Sequence, residues 1–207
     1  MRAGAPGAPG TVLLTVGATA RTRARFPTGA VVRETTPPPR QVALGCCAVA
    51  ATPAVRTLDQ ARARYALHEY DPADGADGHG YGEVAVAALG ADPAQVFKTL
   101  VARVDGALTV AVVPVSGQLD LKALASAAGG RKATMADPAD AERSSGYVRG
   151  GISPLGQRKA LPTVVDDSAL TFPTVLVSAG RRGLQVELSP ADLVRLTRAR
   201  TAAIARS

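Results

Sequence analysis

Apolar residues recur from residue 52 onward with the spacings of short helices and strands. Thr52-Pro53 is typical of a helix N-terminus, because threonine caps free backbone N–H groups and proline fits the first turn. Asp105-Gly106, between two apolar runs, predicts a β-hairpin. Helices are predicted to begin at residue 52 and to span 83–89, 119–128, 138–143 and 189–205. Strands are predicted at 65–70, 96–104, 108–113, 131–135, 163–166, 174–178 and 184–188.

These elements predict one mixed α/β (α+β) domain over residues 51–207. Strands dominate the middle of this region and helices lie between and after them, which favours a curved, mostly antiparallel sheet with surrounding helices. Aromatic residues make up only 3% of the chain and tryptophan is absent. The core is therefore expected to consist of valine, leucine, alanine and isoleucine.

Residues 1–50 are interpreted as an appendage to this domain. Proline and glycine cluster at both ends of the segment, and no helix or strand period is sustained. Thr11–Ala18 is apolar but far too short to cross a bilayer, and threonines and a glycine dilute its faint likeness to a signal peptide. We expect a disordered leader or translated sequence upstream of the true start. A lipid- or wall-associated function would rest on this segment alone, and no membrane partner is expected.

The net charge of +7 is unevenly distributed. Residues 1–50 contain six arginines and one acidic residue, whereas residues 51–207 contain eighteen basic and sixteen acidic residues, a net charge of +2. A nearly neutral domain lacks the broad basic face with which many proteins bind nucleic acids. If this domain binds a nucleic acid, we expect a local contact with one end of it.

The cysteines restrict the chemistry that the domain can use. The chain has two, Cys46 and Cys47, and neither lies in residues 51–207. This usage fits a reducing compartment and excludes a thiol nucleophile or a cysteine-based metal site in the domain. His68 and His79 do not make a zinc site by themselves, since zinc requires three or four ligands. We expect no metal and no cofactor, and we assign neither histidine a role.

Three segments can carry chemistry. Gly150–Gln157 contains three glycines and a proline, so it must be a shaped loop whose backbone a ligand can approach closely. Lys98 stands in the apolar run Val96–Leu100, where an ammonium either extends to solvent or serves a pocket. Val115–Lys122 predicts a turn leading into a helix. Taken singly, a structural turn and a solvent-directed lysine are the more common interpretations.

In this order, the three segments resemble the prolyl-tRNA editing family, specifically its freestanding YbaK/EbsC-type members. The resemblance covers nearly everything after residue 50 and includes Leu67–Tyr70, Gly82-Glu83-Val84 and Arg182-Gly183-Leu184. It implies a partly closed barrel with helices outside, and a trans-acting enzyme that removes cysteine from mischarged proline tRNA. The implied partners are the tRNA acceptor end and prolyl-tRNA synthetase, and the implied location is the cytoplasm.

The resemblance also implies the site residues. Lys98 matches the family's essential lysine, and the rest would bind substrate: Tyr70, Tyr81, Thr99, Gly150, Gly151, Ile152, Ser153 and Ser178. The implied chemistry is substrate-assisted, because the thiol of the misattached cysteine attacks its own ester. Ser153 is a poor candidate nucleophile, since its surroundings differ from the Gly-x-Ser-x-Gly elbow of serine hydrolases and no triad partners are evident.

Gln185 departs from the family pattern. The members that match most closely have aspartate in this strand, and its carboxylate would bind the substrate amino group by charge. Glutamine keeps a hydrogen bond and loses that charge, so amino-acid selectivity is expected to differ. Glu187, on the same strand face, would be placed to compensate. A non-catalytic tRNA- or synthetase-binding module of the same fold remains the alternative, and Gln185 is its best support.

Overall fold

The computed structural model describes residues 51–72 and 80–206. The appendage expected at residues 1–50 and the loop position His79 lie outside the described residues. The helices are α1 (Pro53–Gln60), α2 (Tyr81–Leu89), α3 (Leu121–Ala127), α4 (Pro138–Ser145) and α5 (Pro190–Thr197), with a 3₁₀ helix at Asp167–Thr171. The strands are β1 (Tyr65–Glu69), β2 (Phe97–Val104), β3 (Ala107–Pro114), β4 (Gln118–Leu119), β5 (Ala133–Met135), β6 (Thr163–Asp166), β7 (Val175–Arg181), β8 (Leu184–Leu188), β9 (Arg200–Ala202) and β10 (Ala205–Arg206).

Side-chain caps fix where four of the helices begin. Thr52 Oγ1 accepts a hydrogen bond from the Val55 N–H at 3.2 Å, as its place in the sequence predicts. Asp120, Asp137 and Ser189 cap α3, α4 and α5 in the same way. Because Asp120 is a cap, α3 begins two residues later than the apolar pattern predicts.

The described strands form three sheets. A five-stranded sheet has the order β5-β2-β3-β6-β9, a three-stranded sheet has the order β1-β8-β7, and β10 pairs with β4. The β3-β6 and β6-β9 pairs are parallel and the remaining pairs are antiparallel. The mixed α/β class is therefore confirmed. The single, partly closed sheet is not confirmed, because the described strands divide among separate sheets that do not close.

Two apolar clusters fill the two faces of the β2-β3 hairpin, because successive strand residues point to opposite sides. Phe97 and Val112 lie in a cluster with residues of β7, β8, α1 and α5. Ala111 and Val113 lie in a second cluster with Leu124 of α3 and Ile204. The hairpin turns at Asp105-Gly106, where both residues have positive φ, as the sequence predicts.

The last helix is shorter than predicted. A helix was expected to reach residue 205, but α5 ends at Thr197 and two short strands follow. Arg198 ends the helix in the left-handed conformation, at φ 52°. Neither glycine nor proline marks this end, so the local sequence gives no stop signal. Distant contacts decide the outcome, because β9 adds to β6 and Ile204 is fully buried.

Asp166 fixes the C-terminal segment in place. Its side chain is only 3% exposed, and Oδ2 accepts hydrogen bonds from the Ile204 and Ala205 N–H groups at 2.8 and 2.7 Å. Oδ1 accepts hydrogen bonds from Ser168. One buried carboxylate thus replaces the helical hydrogen bonds that this segment would otherwise make.

We predict that Asp166→Ala lowers the free energy of unfolding by about 2–4 kcal/mol, because two buried N–H groups lose their acceptor. Asp167→Ala is the matched control, since Asp167 is exposed, and should change it by less than about 0.5 kcal/mol. Urea denaturation measures both. Equal midpoints for the two variants would show that Asp166 does not hold the C-terminal segment.

Candidate functional site

The candidate site begins where the two larger sheets meet. Val96, just before β2, forms an isolated parallel bridge with Leu176 of β7. The Leu176 N–H donates to the Gln95 carbonyl at 3.0 Å, and Gln95 Nε2 donates to the Thr174 carbonyl at 2.9 Å. Val96 and Leu176 pack with Val115 in a small apolar cluster. We call this junction the seam; it sets the relative positions of β2 and β7.

Four polar residues lie in register across the seam. Lys98 and Ser178 each follow their bridge residue by two positions, so they lie on the same face and at the same level. Ser178 is directly opposite Gln185 of β8, and Gln185 is directly opposite His68 of β1. We call Lys98, Ser178, Gln185 and His68 the polar row. Neighbouring strands lie about 4.8 Å apart, so one small ligand can contact adjacent members.

Lys98 is held in the row without an anionic partner among residues 51–72 and 80–206. It is half-buried, and its Nζ donates to the Val115 carbonyl oxygen at 3.4 Å, a long hydrogen bond. Among the described residues, the ion pairs do not include Lys98. The apolar neighbours that a lysine in this segment must have, Val96 and Val115, are present. This ammonium is therefore available to an oxygen atom of a ligand.

Gln185 carries an unused acceptor. Its side chain is 7% exposed, and Oε1 is buried with no hydrogen-bond partner among the described residues. A buried polar atom without a partner costs free energy, so such an atom in a native fold calls for an explanation. A bound ligand with an N–H donor would satisfy it. Ser178, the neighbour of Gln185, accepts a 3.3 Å hydrogen bond from the Gly180 N–H.

Thr99 does not join the polar row. Its neighbour Phe97 faces the main core, and Thr99 shares that side of β2, opposite to Lys98. Its hydroxyl oxygen is also buried, with no hydrogen-bond partner in the part of the chain that the structure describes. The structure thus separates two side chains that are adjacent in the sequence and that were both expected at the site.

Glu187 is already engaged with residues of the protein. Its Oε2 lies 2.9 Å from His68 Nε2, and its Oε1 accepts a 2.6 Å hydrogen bond from Thr174 Oγ1. These contacts lower the pKa of Glu187, with the Thr174 hydrogen bond as the largest cause. Glu187 is therefore poorly placed to replace a carboxylate at position 185. It orients His68, which sequence reasoning left without a role because no local signal shows the β1-β8 pairing.

The glycine loop packs closely against two other elements. Gly150 has φ 83°, and a Cβ built there would lie 2.7 Å from Cγ of Tyr81. A Cβ built at Gly151 would lie 2.9 Å from the Arg181 Cα. Only glycine permits both approaches. The loop is thereby held between the start of α2 and the β7-β8 turn.

Ser153 has a structural role in this loop. The residue is fully buried, its Oγ accepts a 3.2 Å hydrogen bond from the Leu155 N–H, and its carbonyl accepts one from Gln157 Nε2. Ile152 beside it is half-buried. This geometry agrees with the sequence argument against Ser153 as a nucleophile.

Tyr81 and Tyr70 both contact the turn between β7 and β8, Tyr81 at Arg182 and Tyr70 at Gly183. Tyr81 is 43% exposed and begins α2, whose next residue, Gly82, packs on the Val115 side chain beside Lys98. Tyr70 follows β1 and donates its N–H to the Gly183 carbonyl at 3.0 Å. It stands two residues beyond His68, near the far end of the row.

Other features of the described residues lie elsewhere. The lining of one cleft includes Asp166 and Arg206, and the lining of a second cleft includes Arg198 and Arg200. Neither cleft includes a polar-row residue. The seam differs from both clefts, because among the described residues it combines an ammonium that has no ion pair with a buried oxygen that has no hydrogen-bond partner. No group of three or more metal-binding side chains occurs in the described part of the chain. None of the described helices is long and apolar enough to span a membrane.

The chain belongs to the aminoacyl-tRNA editing domain family, whose model matches residues 78–196. It is 37% identical over 155 residues to EbsC of Enterococcus faecalis (strain ATCC 700802 / V583), a protein named as a proposed Cys-tRNA(Pro)/Cys-tRNA(Cys) deacylase. The match covers 74% of this chain and 92% of EbsC. The family resemblance of the motifs is therefore confirmed, and with it the class of enzyme.

Two solved structures are also similar to this chain. One is a proposed trans-editing enzyme for prolyl-tRNA synthetase, with a TM-score of 0.62 and 25% identity over 74% of this chain and 93% of that chain. The other, hypothetical protein APE2540, has a TM-score of 0.66 and 23% identity over 75% of this chain and all of that chain. The second likeness shows the fold alone.

We predict that Lys98→Met leaves the domain folded and removes its deacylation activity. Methionine keeps the apolar stem and removes the ammonium, whose one hydrogen bond is long, so the free energy of unfolding should change by less than about 0.5 kcal/mol. Loss of one preorganised charge should slow deacylation by on the order of 100-fold or more. Lys122→Met is the control, because Lys122 occupies an exposed position of α3. A folded Lys98→Met enzyme with the control's rate would remove Lys98 from the site.

Proposed function

We propose that this chain is a trans-acting deacylase that removes cysteine from mischarged tRNA(Pro). The observation that carries the proposal is the polar row, in which an unpaired ammonium and an unsatisfied buried amide oxygen lie on one face across the seam. The E. faecalis relative and the trans-editing structure support the same substrate by their names. A linked ester and amine, as in an aminoacyl group, match the two unused groups of the row.

The row assigns roles to its members. Lys98 binds the ester carbonyl oxygen and offsets the negative charge that develops there. Ser178 and Gln185 bind the substrate amino group, and the unpaired Oε1 of Gln185 accepts one of its N–H groups. Tyr70 and Tyr81 form the walls of the pocket.

The glycine loop is the proposed cradle of the terminal adenosine. It comprises Gly150, Gly151, Ile152 and Ser153, of which Gly150 and Ile152 are half-buried, whereas Gly151 and Ser153 are buried and shape the loop. The Gly151 N–H already donates to the Val148 carbonyl at 2.9 Å, so it does not serve as an oxyanion donor. Thr99 contributes to the site through its backbone, since its side chain lies on the other face of β2.

The proposed chemistry uses the substrate's own thiol as the nucleophile. Cys46 and Cys47 precede the domain, and the Ser153 hydroxyl is buried in a turn, so these groups are not suited to attack. The cysteine thiol gives its proton to water, and the sulfur attacks the ester carbonyl carbon. The carbon–sulfur bond forms as the bond to the ribose oxygen breaks, and that oxygen takes a proton. Water then opens the thiolactone to free cysteine.

The charge of the domain limits how the tRNA is held. Residues 51–207 carry a net charge of only +2, so the domain contacts the acceptor end and leaves the body of the tRNA to another protein. Prolyl-tRNA synthetase is the proposed second partner, and the cytoplasm is the proposed location. Residues 1–50 are proposed to be dispensable for this activity.

A non-catalytic binding module of the same fold is the second candidate, and Gln185 is the observation that favours it. Losing a carboxylate at this position weakens the charge attraction for a substrate ammonium. The unpaired Lys98 argues against this candidate, because binding alone does not require an uncompensated ammonium in an apolar segment.

We predict rapid release of cysteine from Cys-tRNA(Pro) and none of proline from Pro-tRNA(Pro). The rate with Ser-tRNA(Pro) should be lower by about 100-fold or more, because a thiolate is far more accessible near neutral pH than an alkoxide. Deacylation of labelled aminoacyl-tRNA measures the rates, and a thiol-reactive trap detects the thiolactone. Equal cysteine and serine rates without a thiolactone would reject the substrate-assisted step, and no activity on either would favour the binding module.

A further inference from the structure

Arg182, in the turn between β7 and β8, is held in position by two contacts. Its guanidinium carbon lies 4.8 Å from the centroid of the Tyr81 ring, which is within the range of a cation–π interaction. Its Nε donates a 2.8 Å hydrogen bond to the Arg149 carbonyl oxygen. Arg182 is exposed, and its two terminal nitrogens make no hydrogen bond to the described residues. They can therefore donate to another acceptor.

This guanidinium has no carboxylate partner in the described part of the chain. Its neighbour Arg181 is paired with Glu69, but the ion pairs of the described residues include neither Arg182 nor Arg149. Exposed arginines commonly sample many rotamers, and holding one in a fixed position costs side-chain entropy. A fixed and unpaired guanidinium is preorganised for an anion from outside the protein.

The position of Arg182 selects the kind of anion. Gly150 packs on the Tyr81 ring, and Gly151 packs on the backbone at Arg181 and Arg182. The arginine therefore stands at the rim of the glycine loop, which is the proposed adenosine cradle. If a nucleotide occupies that cradle, its own phosphate is the anion within closest reach of the rim.

We infer that Arg182, held by Tyr81 and the Arg149 carbonyl, is a clamp for a backbone phosphate of a single-stranded RNA end. The inference rests on the proposed function and adds a contact outside the polar row. A planar guanidinium binds two phosphate oxygens at once, which gives both orientation and affinity. One such contact lets a nearly neutral domain capture the acceptor end.

The test measures binding of an unacylated, 5′-fluorescein-labelled oligoribonucleotide ending in CCA, by anisotropy, to the full chain. Arg182→Ala should weaken binding about tenfold or more, as expected for a lost charged hydrogen bond. The slope of log K against log salt should decrease by about 0.7, the value for one phosphate contact on a single strand. Arg195→Ala, which removes an exposed arginine paired with Asp192 on α5, should leave the affinity and the slope unchanged.

Two further variants separate charge from geometry. Arg182→Lys keeps the charge and should retain most of the salt slope while losing affinity, because it lacks the planar fork. Tyr81→Leu keeps Arg182 but removes the ring that holds it. This variant should bind more weakly, but the slope of log K against log salt should stay unchanged, because Arg182 still contacts the phosphate. Adenosine 5′-monophosphate, which carries the terminal nucleoside and its phosphate, should compete better than adenosine, because only the monophosphate offers an anion to the clamp.

The outcomes distinguish this inference from the proposed function. The probe carries no aminoacyl group, so a loss of binding in Arg182→Ala supports the clamp even if the protein deacylates nothing. Wild-type affinity and slope in Arg182→Ala would overturn the clamp even if Cys-tRNA(Pro) is deacylated. No binding by the wild-type protein, or adenosine competing as well as adenosine 5′-monophosphate, would also overturn it.

Discussion

The parallel bridge between Val96 and Leu176 is the contact on which the candidate site depends. It joins the start of β2, in the five-stranded sheet, to β7, the edge strand of the three-stranded sheet, and so brings residues eighty positions apart in the sequence to the same level. Through this bridge, Ser178 of β7 lies next to Lys98, and Gln185 of β8 lies one strand further along the row. Without it, Lys98 would stand alone on the five-stranded sheet, and Ser178, Gln185 and His68 would lie together on the other sheet, with no ligand shared between the two sheets.

Local signals predicted much of the fold. Thr52-Pro53 begins a helix and Asp105-Gly106 makes a hairpin, because in both cases the residues determine the backbone conformation by themselves. Strands 163–166 and 184–188 also have their predicted bounds, since short apolar runs between turn residues suit only strands. The glycine loop was found for the same reason, because its composition excludes both helix and strand.

Long-range pairing limited the rest. The C-terminal segment looks helical, yet Asp166 draws residues 204 and 205 into a strand-like path from 38 and 39 positions away. Thr99 was expected beside Lys98, but alternation along β2 places it on the other face. No local sequence signal indicated a role for His68 or Arg182. The role of His68 depends on the pairing of β1 with β8, and that of Arg182 depends on its contact with Tyr81.

The most direct test of the account is a crystal structure with a stable substrate analogue, 3′-deoxy-3′-cysteinylamino-adenosine, in which an amide replaces the ester. We expect the carbonyl oxygen to lie within hydrogen-bond distance of Lys98 Nζ, the amino group to lie at Gln185 Oε1, and the adenosine to lie against residues 150–153. Binding of the analogue in the cleft of Asp166 and Arg206, or with its aminoacyl group away from Lys98, would contradict the assignment of the polar row.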